Sequence, residues 1–205
     1  MIDRSNIKYH EFEQTSEEWH RVRRGKFTGS TAHVLFVGDG LGAGAMTAIY
    51  KNVAELVTNE DQSDFTGNLH TDRGLSYESV VRELYEEMTW ESVKQYGFIE
   101  LNEFIGYSQD GLVGEDGLIE IKCPAPKEFV RVSLERKIDN QYVAQMQFGM
   151  WVTGRKWCDN IYYNPQFFNP LLIIRVVRDE FDMKTLDKKA NLLIEKMNEI
   201  LNKIK

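Results

Sequence analysis

Hydrophobic and polar positions change period several times along the chain, and each change predicts an element. SEEWHRVRRGKFTGSTAHVLF reads as a short helix, a break at Gly25 and a second helix. Ser16 followed by Glu17 and Glu18 suits a helix start, because carboxylates favour the positive end of the helix dipole. Thr28 or Ser30 can cap the second helix, GDGLGAGA (Gly38 to Ala45) reads as a flexible loop, MTAIYKNVAELVTN as a helix and NEDQSDFTGN as a polar loop. In LSYESVVRELYEEMT, Val81, Leu84, Tyr85 and Met88 recur at helical spacing. YGFIELNEFIGYSQDGLVGEDGLIEIKCP alternates and turns as a β-meander, with GEDG joining two strands. NQYVAQMQFGMWVTG returns to a helix that stops at Gly154, and KWCDNIYYNP and LLIIRVVRDE read as strands. From Asp182 on, Leu186, Leu193, Met197, Ile200, Leu201 and Ile204 draw one apolar stripe down a long terminal helix. This order predicts an α/β fold with a central sheet.

Composition narrows the class of protein. The chain has 205 residues, enough for a sizeable core, and its 42% apolar and 28% charged content is that of a globular protein. No apolar run reaches the roughly 18 residues of a membrane span, and the N-terminus has no signal-peptide core. The two cysteines, Cys123 and Cys158, form no CxxC, which argues for a reducing compartment and against zinc or iron–sulfur sites. The formal charge of −7 is unlike a nucleic-acid coat but leaves room for an acidic metal site and a locally basic channel. The GxG within GDGLGAGA follows no strand and precedes no GK[ST], so it lacks the context of a nucleotide loop.

Chemistry concentrates in YSQDGLVGEDGLIEIKCP, Tyr107 to Pro124. Burying a charge is costly unless it is paired or bound to a metal. Glu120 and Lys122 alternate with Ile119 and Ile121, so they share one face of a strand whose other face packs. The GEDG turn folds Asp110 back beside Glu120. Two carboxylates on one face make a hard oxygen site for Mg²⁺ or Mn²⁺, and Lys122 can hold or polarise a water. The spacing is D-x9-E-x-K, the signature of the PD-(D/E)xK nuclease core; the competing reading is an edge strand with a solvated Glu–Lys pair. Glu78 borders an apolar helix face with Tyr77 and Val81, and spacing alone leaves it either aimed at the sheet or solvated like Glu83. Gln145, one turn after Gln141, and Gln147 lie among apolar residues and need partners.

Four ordered motifs, WHRVRRGKFTGS, RGLSYE, YSQDGLVGEDGLIEIKCP and YVAQMQFGMWVTGRKWCDNIYYNP, resemble the lambda-exonuclease type of phage recombination exonuclease, the YqaJ-like viral recombinase family. The resemblance runs from about Trp19 to the C-terminus. It implies a restriction-endonuclease-like core with a central mixed sheet flanked by helices. That core would form a single domain over 1–205, with catalytic residues in about 19–178 and an amphipathic helix in about 182–204. It implies Asp110, Glu120 and the Ile121 carbonyl as metal ligands, Glu78 as the helix carboxylate of that site, Lys122 as catalytic lysine and Gln145 as active-site glutamine. Arg23, Ser30 and Ser108 match a pocket for a 5′-terminal phosphate, chemistry that a forked guanidinium and two hydroxyls suit. On the residues alone, Arg23 reads first as a surface arginine in a basic cluster with Arg21, Arg24 and Lys26, and its choice over Arg24 rests on the resemblance. Two positions depart from the family pattern: Gln109 replaces a proline before Asp110, and Gly29 makes the TGS turn more permissive.

The activity so implied is a Mg²⁺-dependent 5′→3′ exonuclease, with a two-metal site in which Mn²⁺ can substitute. It would digest one strand of double-stranded DNA from a 5′-phosphorylated end. A homotrimeric ring, a single-strand annealing protein as partner, and a phage or prophage protein in bacterial cytoplasm complete the expectation. Two alternatives remain at this point. One is a structure-specific endonuclease or resolvase of the same fold; the other is a catalytically inactive DNA-binding module. A Cas4-like relative would need more cysteines for its cluster.

Overall fold

Ser16 opens the first helix, α1 (Glu17–Arg23), by accepting from the Trp19 N–H, as its position before two glutamates predicts. The computed structural model describes residues 2–62 and 69–204, without the side chains of 69–76. After Gly25, the chain bridges to Ile105 at Phe27 and enters a 3-10 helix (Gly29–Phe36) with Thr28 at its N-cap, so the expected second helix takes the tighter form. The loop expected through Ala45 ends early, because α2 (Ala43–Thr58) starts at Ala43. Of the expected polar loop 59–68, residues 63–68 lie outside the described residues, as do the first side chains of the RGLSYE motif. The helix α3 (Leu69–Thr89) buries Val81 and Tyr85. Met88, assigned to the same stripe, is 61% exposed.

The expected meander divides between two sheets. β1 (Lys8–His10), β3 (Phe98–Asn102) and β4 (Ile105–Tyr107) form a small antiparallel sheet in the order β1-β3-β4. The chain then crosses at Ser108 to Asp110 into a five-stranded sheet, ordered β2-β5-β6-β7-β8. Its strands are β2 (Val93–Lys94), β5 (Gly111–Val113), β6 (Gly117–Lys122), β7 (Trp157–Tyr163) and β8 (Leu171–Val177). β5 and β6 form the GEDG hairpin, whose Gly114 takes a left-handed φ of 51°. β6 and β7 are parallel, which demands a crossover. That crossover is α4 (Pro126–Glu135), opened by proline in its first turn, and α5 (Asn140–Thr153), which stops at Gly154 with φ 76°. The fold is therefore mixed α/β with a mixed central sheet.

Alternation along β6 separates two cores. Ile119 and Ile121 pack with Val81 and Tyr85 of α3, while Leu118 joins the larger core with Met146, Phe148 and Trp151 of α5. The terminal helix α6 (Glu180–Ile204) adds Leu186, Leu193, Met197 and Leu201 to that larger core. Its predicted stripe stops short of Ile204, which is 53% exposed. No helix among the described residues is long and apolar enough to cross a membrane.

Candidate active site

Strand β6 delivers Glu120 to the floor of the site, buried to 2% exposure, and three donors converge on its carboxylate. Lys122 Nζ and Gln145 Nε2 both donate to Oε1, at 2.7 and 2.6 Å, and the Tyr107 hydroxyl donates to Oε2 at 3.1 Å. Lys122 reaches the same carboxylate because it lies two residues along the strand, on the same face. Gln145 comes from α5, which crosses over that face. Gln147, two residues on, is instead a satisfied core residue: it donates to the Val177 carbonyl and accepts from the Asp179 N–H.

Asp110 stands where the chain passes between the sheets. Its Oδ2 accepts from the Ile121 N–H at 2.6 Å, so the hairpin brings Asp110 beside the Glu-Ile-Lys strand as the spacing predicts. Burial, together with the charges of Glu120 and Glu78, pushes the Asp110 carboxyl well above the usual carboxylate range. The Glu78 carboxyl is also raised, first by burial, against the pull of Arg82, whose guanidinium lies 3.5 Å from Glu78 and donates to the Asp110 carbonyl. Burial draws the Lys122 ammonium down, but Glu120 and Asp110 outweigh it and hold Lys122 firmly protonated. Among the described residues, no three His, Cys, Asp or Glu side chains converge as a ready metal-ligand set.

A second constellation lies beside the first. The Arg23 guanidinium stacks on the Trp19 ring at 4.0 Å and reaches the Thr28 hydroxyl at 3.4 Å, which in turn meets Ser30 at 3.2 Å. The Trp19 indole N–H donates to the Ser108 hydroxyl at 3.1 Å. Arg23, Ser30 and Ser108 are thus joined through Trp19 and Thr28. Arg23 and Ser30 line a cavity of about 590 Å³ that also receives His20, Arg24 and Lys51. Among the neighbouring cations, Lys26 is tied to the carbonyls of Asn102 and Glu103, and Arg24 to Asn59; only Arg23 sits on the indole. Burial lowers the Arg23 pKa to about 10, with Asp61 and Glu55 opposing, so it remains charged.

The two departures from the family pattern have structural explanations. Gly29 is not needed for backbone freedom; a Cβ there would lie 2.9 Å from the Tyr107 ring. Gly149 leaves room for the same tyrosine, since its Cβ would meet the Tyr107 hydroxyl at 2.7 Å. Gln109 is fully buried and holds the crossing segment by donating to the Tyr96 carbonyl at 2.7 Å. Trp19, Thr28, Tyr107 and Arg82 are site neighbours that the sequence did not single out. Trp19 and Tyr107 stood inside the quoted motifs, where aromatics beside a charged cluster were the available signal.

The model of the YqaJ-like viral recombinase domain matches residues 18–156, which span Trp19, Arg23, Asp110, Glu120, Lys122 and Gln145. The chain belongs to the YqaJ-like viral recombinase family. Among solved structures, it is similar to an alkaline exonuclease from Laribacter hongkongensis. That match has a TM-score of 0.82 and 27% identity, covering 92% of this chain and 96% of the other. The same enzyme in complex with dAMP matches equally, with TM-score 0.82 and 27% identity over the same shares. A phage-related exonuclease from Haemophilus somnus 129PT shares the fold at TM-score 0.66 and 16% identity, covering 88% of this chain and 96% of that one. A comparison with curated proteins finds no match. The central sheet and its flanking helices are the PD-(D/E)xK-like fold of these neighbours.

Proposed function

We propose that the protein is a divalent-metal-dependent exonuclease. It would digest one strand of double-stranded DNA in the 5′→3′ direction from a 5′-phosphorylated end, leaving 3′ single-stranded tails for recombination. The observation that carries this reading is the convergence of Lys122 and Gln145 on Glu120, with Asp110 alongside, in a chain of this family.

The donor set fits a hard cation. Asp110, Glu120 and the Ile121 carbonyl offer oxygens only, and Asp110 carries a carboxyl whose charge its surroundings leave under-compensated. A site in which one or two carboxylates touch the ion suits Mg²⁺, which keeps several water and phosphate oxygens; Mn²⁺ and a second ion are compatible. When bound, the metal would polarise the scissile phosphate and acidify the attacking water. The chain's own residues do the rest. Lys122, held protonated, would orient the water and offset developing charge, and Gln145 would fix the Glu120 carboxylate and the water beside it. Glu78, steadied by Arg82, would balance the far side of the metal site. Arg23, Ser30 and Ser108 would hold the 5′-phosphate and so set the cut one nucleotide in.

The same reading carries a homotrimeric ring around DNA, a single-strand annealing partner and a phage or prophage protein working in host cytoplasm. The deciding experiment uses linear duplex with a 5′-phosphate or a 5′-hydroxyl, and a closed circle, each with Mg²⁺ or EDTA. Metal-dependent release of mononucleotides from the phosphorylated linear form alone is expected. Cuts in the circle would make the site an endonuclease; no cleavage with any divalent metal would leave only a binding module.

A further inference from the structure

Tyr107 ends β4 of the small sheet, and its hydroxyl crosses to Glu120 on β6 of the large one. The residue is fully buried. Two glycines make the slot that admits it: a Cβ at Gly29 would lie 2.9 Å from the ring, and one at Gly149 would lie 2.7 Å from the hydroxyl. Gly149 stands inside α5, where glycine weakens a helix relative to alanine. The fold thus gives up helix stability to seat this ring. A phenylalanine would fill most of the same slot and bring no polar group to bury, so packing alone does not account for the hydroxyl.

What the hydroxyl does follows from how the donors divide over Glu120. An ionised carboxylate offers roughly four acceptor sites, about two on each oxygen. Those of Oε1 are filled by Lys122 at 2.7 Å and Gln145 at 2.6 Å, whereas Tyr107 donates to Oε2 at 3.1 Å. A cation approaching Glu120 in this arrangement meets Oε2. Donors on one oxygen fix that atom but let the other swing, because the last torsion of a glutamate is broad. A donor on the second oxygen sets the plane of the carboxylate, and Tyr107 is that donor.

The chain holds a second buried tyrosine–carboxylate pair, which supplies a contrast. Tyr85 donates to Asp159 at 2.8 Å, but there Arg175 grips the same carboxylate through two nitrogens at 2.7 Å. That pair is closed by a guanidinium and lies on the opposite face of the sheet, because Asp159 pairs with Ile119 and Asn160 with Glu120. Glu120 instead stands beside a further carboxylate, Asp110, whose Oδ2 accepts from the Ile121 N–H.

We propose that Tyr107 is a positioning residue of the metal site, its hydroxyl holding Glu120 Oε2 in the orientation that a hard cation needs. The proposal rests on the metal-dependent reading above. Its test is a Mn²⁺ titration of the protein without DNA, followed by electron paramagnetic resonance of the free ion. Tyr107→Phe should weaken Mn²⁺ binding about ten-fold or more, as loss of an outer partner of a metal ligand does. In a Glu120→Ala background the same substitution should change nothing, because the oxygen it serves is gone. Tyr85→Phe, which takes a buried hydroxyl from Asp159 instead, should bind Mn²⁺ as the wild type does. Gly149→Ala, which crowds the hydroxyl while keeping the tyrosine, should weaken Mn²⁺ in the same direction and carries the test if Tyr107→Phe does not fold. In digestion, the Mg²⁺ concentration for half-maximal rate should rise with Tyr107→Phe, while KM for a 5′-phosphorylated duplex at saturating Mg²⁺ stays near that of the wild type. Unchanged Mn²⁺ affinity in Tyr107→Phe overturns the proposal. So does equal weakening by Tyr85→Phe, or an equal effect of Tyr107→Phe with and without Glu120. A wild type that binds no Mn²⁺ sinks the metal-dependent reading itself.

Discussion

The guanidinium carbon of Arg23 lies 4.0 Å from the centroid of the Trp19 ring, whose N–H is held by Ser108 at 3.1 Å. Stacking on an indole fixes the plane of the guanidinium and leaves its fork free to meet an anion. Arg23→Ala should therefore slow digestion of 5′-phosphorylated ends at least ten-fold and leave 5′-hydroxyl ends little changed. Arg23→Lys should resemble the alanine variant, because an ammonium neither stacks as a plane nor binds bidentately. Rates on paired phosphorylated and hydroxyl substrates decide this; equal losses on both would make Arg23 a general backbone contact.

Lys122 shares Glu120 Oε1 with Gln145, which gives the two side chains separable roles. Lys122→Ala should abolish cleavage while duplex binding in Ca²⁺ persists. Gln145→Ala should cost less, roughly ten- to a hundred-fold in kcat, because it removes an orienting hydrogen bond and not the charge. Near-normal turnover of Lys122→Ala would remove its catalytic assignment.

Much of this site is legible in the sequence. Period-two alternation puts Glu120 and Lys122 on one face, and a four-residue turn brings Asp110 back to them; both are local consequences of strand geometry. What stays hidden is long-range. The meander splits between two sheets at Ser108, and Phe27 bridges to Ile105, a contact across most of a hundred residues. The Trp19–Ser108 bond and the Tyr107 slot between Gly29 and Gly149 are likewise products of packing. Gln145 and Gln147 look alike in the sequence; only the strand each one faces separates an active-site contact from a core tie.

Asp110 and Glu78 both have raised carboxyl pKa values, burial being the larger cause in each. A folded-state pKa above the unfolded one means that the native protein binds the proton more tightly. The associated stability is present below the unfolded carboxylate pKa and is lost as pH rises through the folded values. In EDTA, Asp110→Asn should thus melt higher than wild type at neutral pH, and the difference should shrink as pH falls into the ordinary carboxylate range. Adding Mg²⁺ should raise the wild-type melting temperature and leave that of Asp110→Asn nearly unmoved. Thermal melts of both proteins across pH, with and without Mg²⁺, check the sign.

The Tyr85 hydroxyl donates to buried Asp159 at 2.8 Å, and Arg175 grips the same carboxylate at 2.7 Å through two nitrogens. This bond ties α3, the helix that carries Glu78, to β7. Tyr85→Phe keeps the ring and removes one hydrogen bond to a charged group, so it should cost about 2 kcal/mol in denaturant unfolding. The Arg175 pair should still neutralise Asp159, so kcat at saturating substrate should stay within about two-fold of wild type, a change worth less than about 0.5 kcal/mol.

Gly149 offers the sharpest link between packing and chemistry. In an ordinary helix interior, Gly→Ala stabilises by about 1 kcal/mol through backbone entropy and propensity. At Gly149 the new Cβ would fall 2.5 Å from the ring carbon bearing the Tyr107 hydroxyl, inside any allowed contact. Tyr107 is fully buried, with Gly29 tight against its ring, so it has little room to retreat. Its hydroxyl, the donor to Glu120 Oε2, would be pushed off that carboxylate. Gly149→Ala should consequently lose stability, by about 1–3 kcal/mol as overpacked cores do, and lose activity as well. Tyr107→Phe should recover only part of the stability in the double variant, because it removes the oxygen 2.7 Å from the new Cβ but keeps the ring carbon at 2.5 Å, and it should not recover full activity, because Glu120 still lacks its donor. Denaturant melts and kcat on the two single variants and the double variant test the coupling. A Gly149→Ala protein that is more stable than wild type would show that the Tyr107 slot yields.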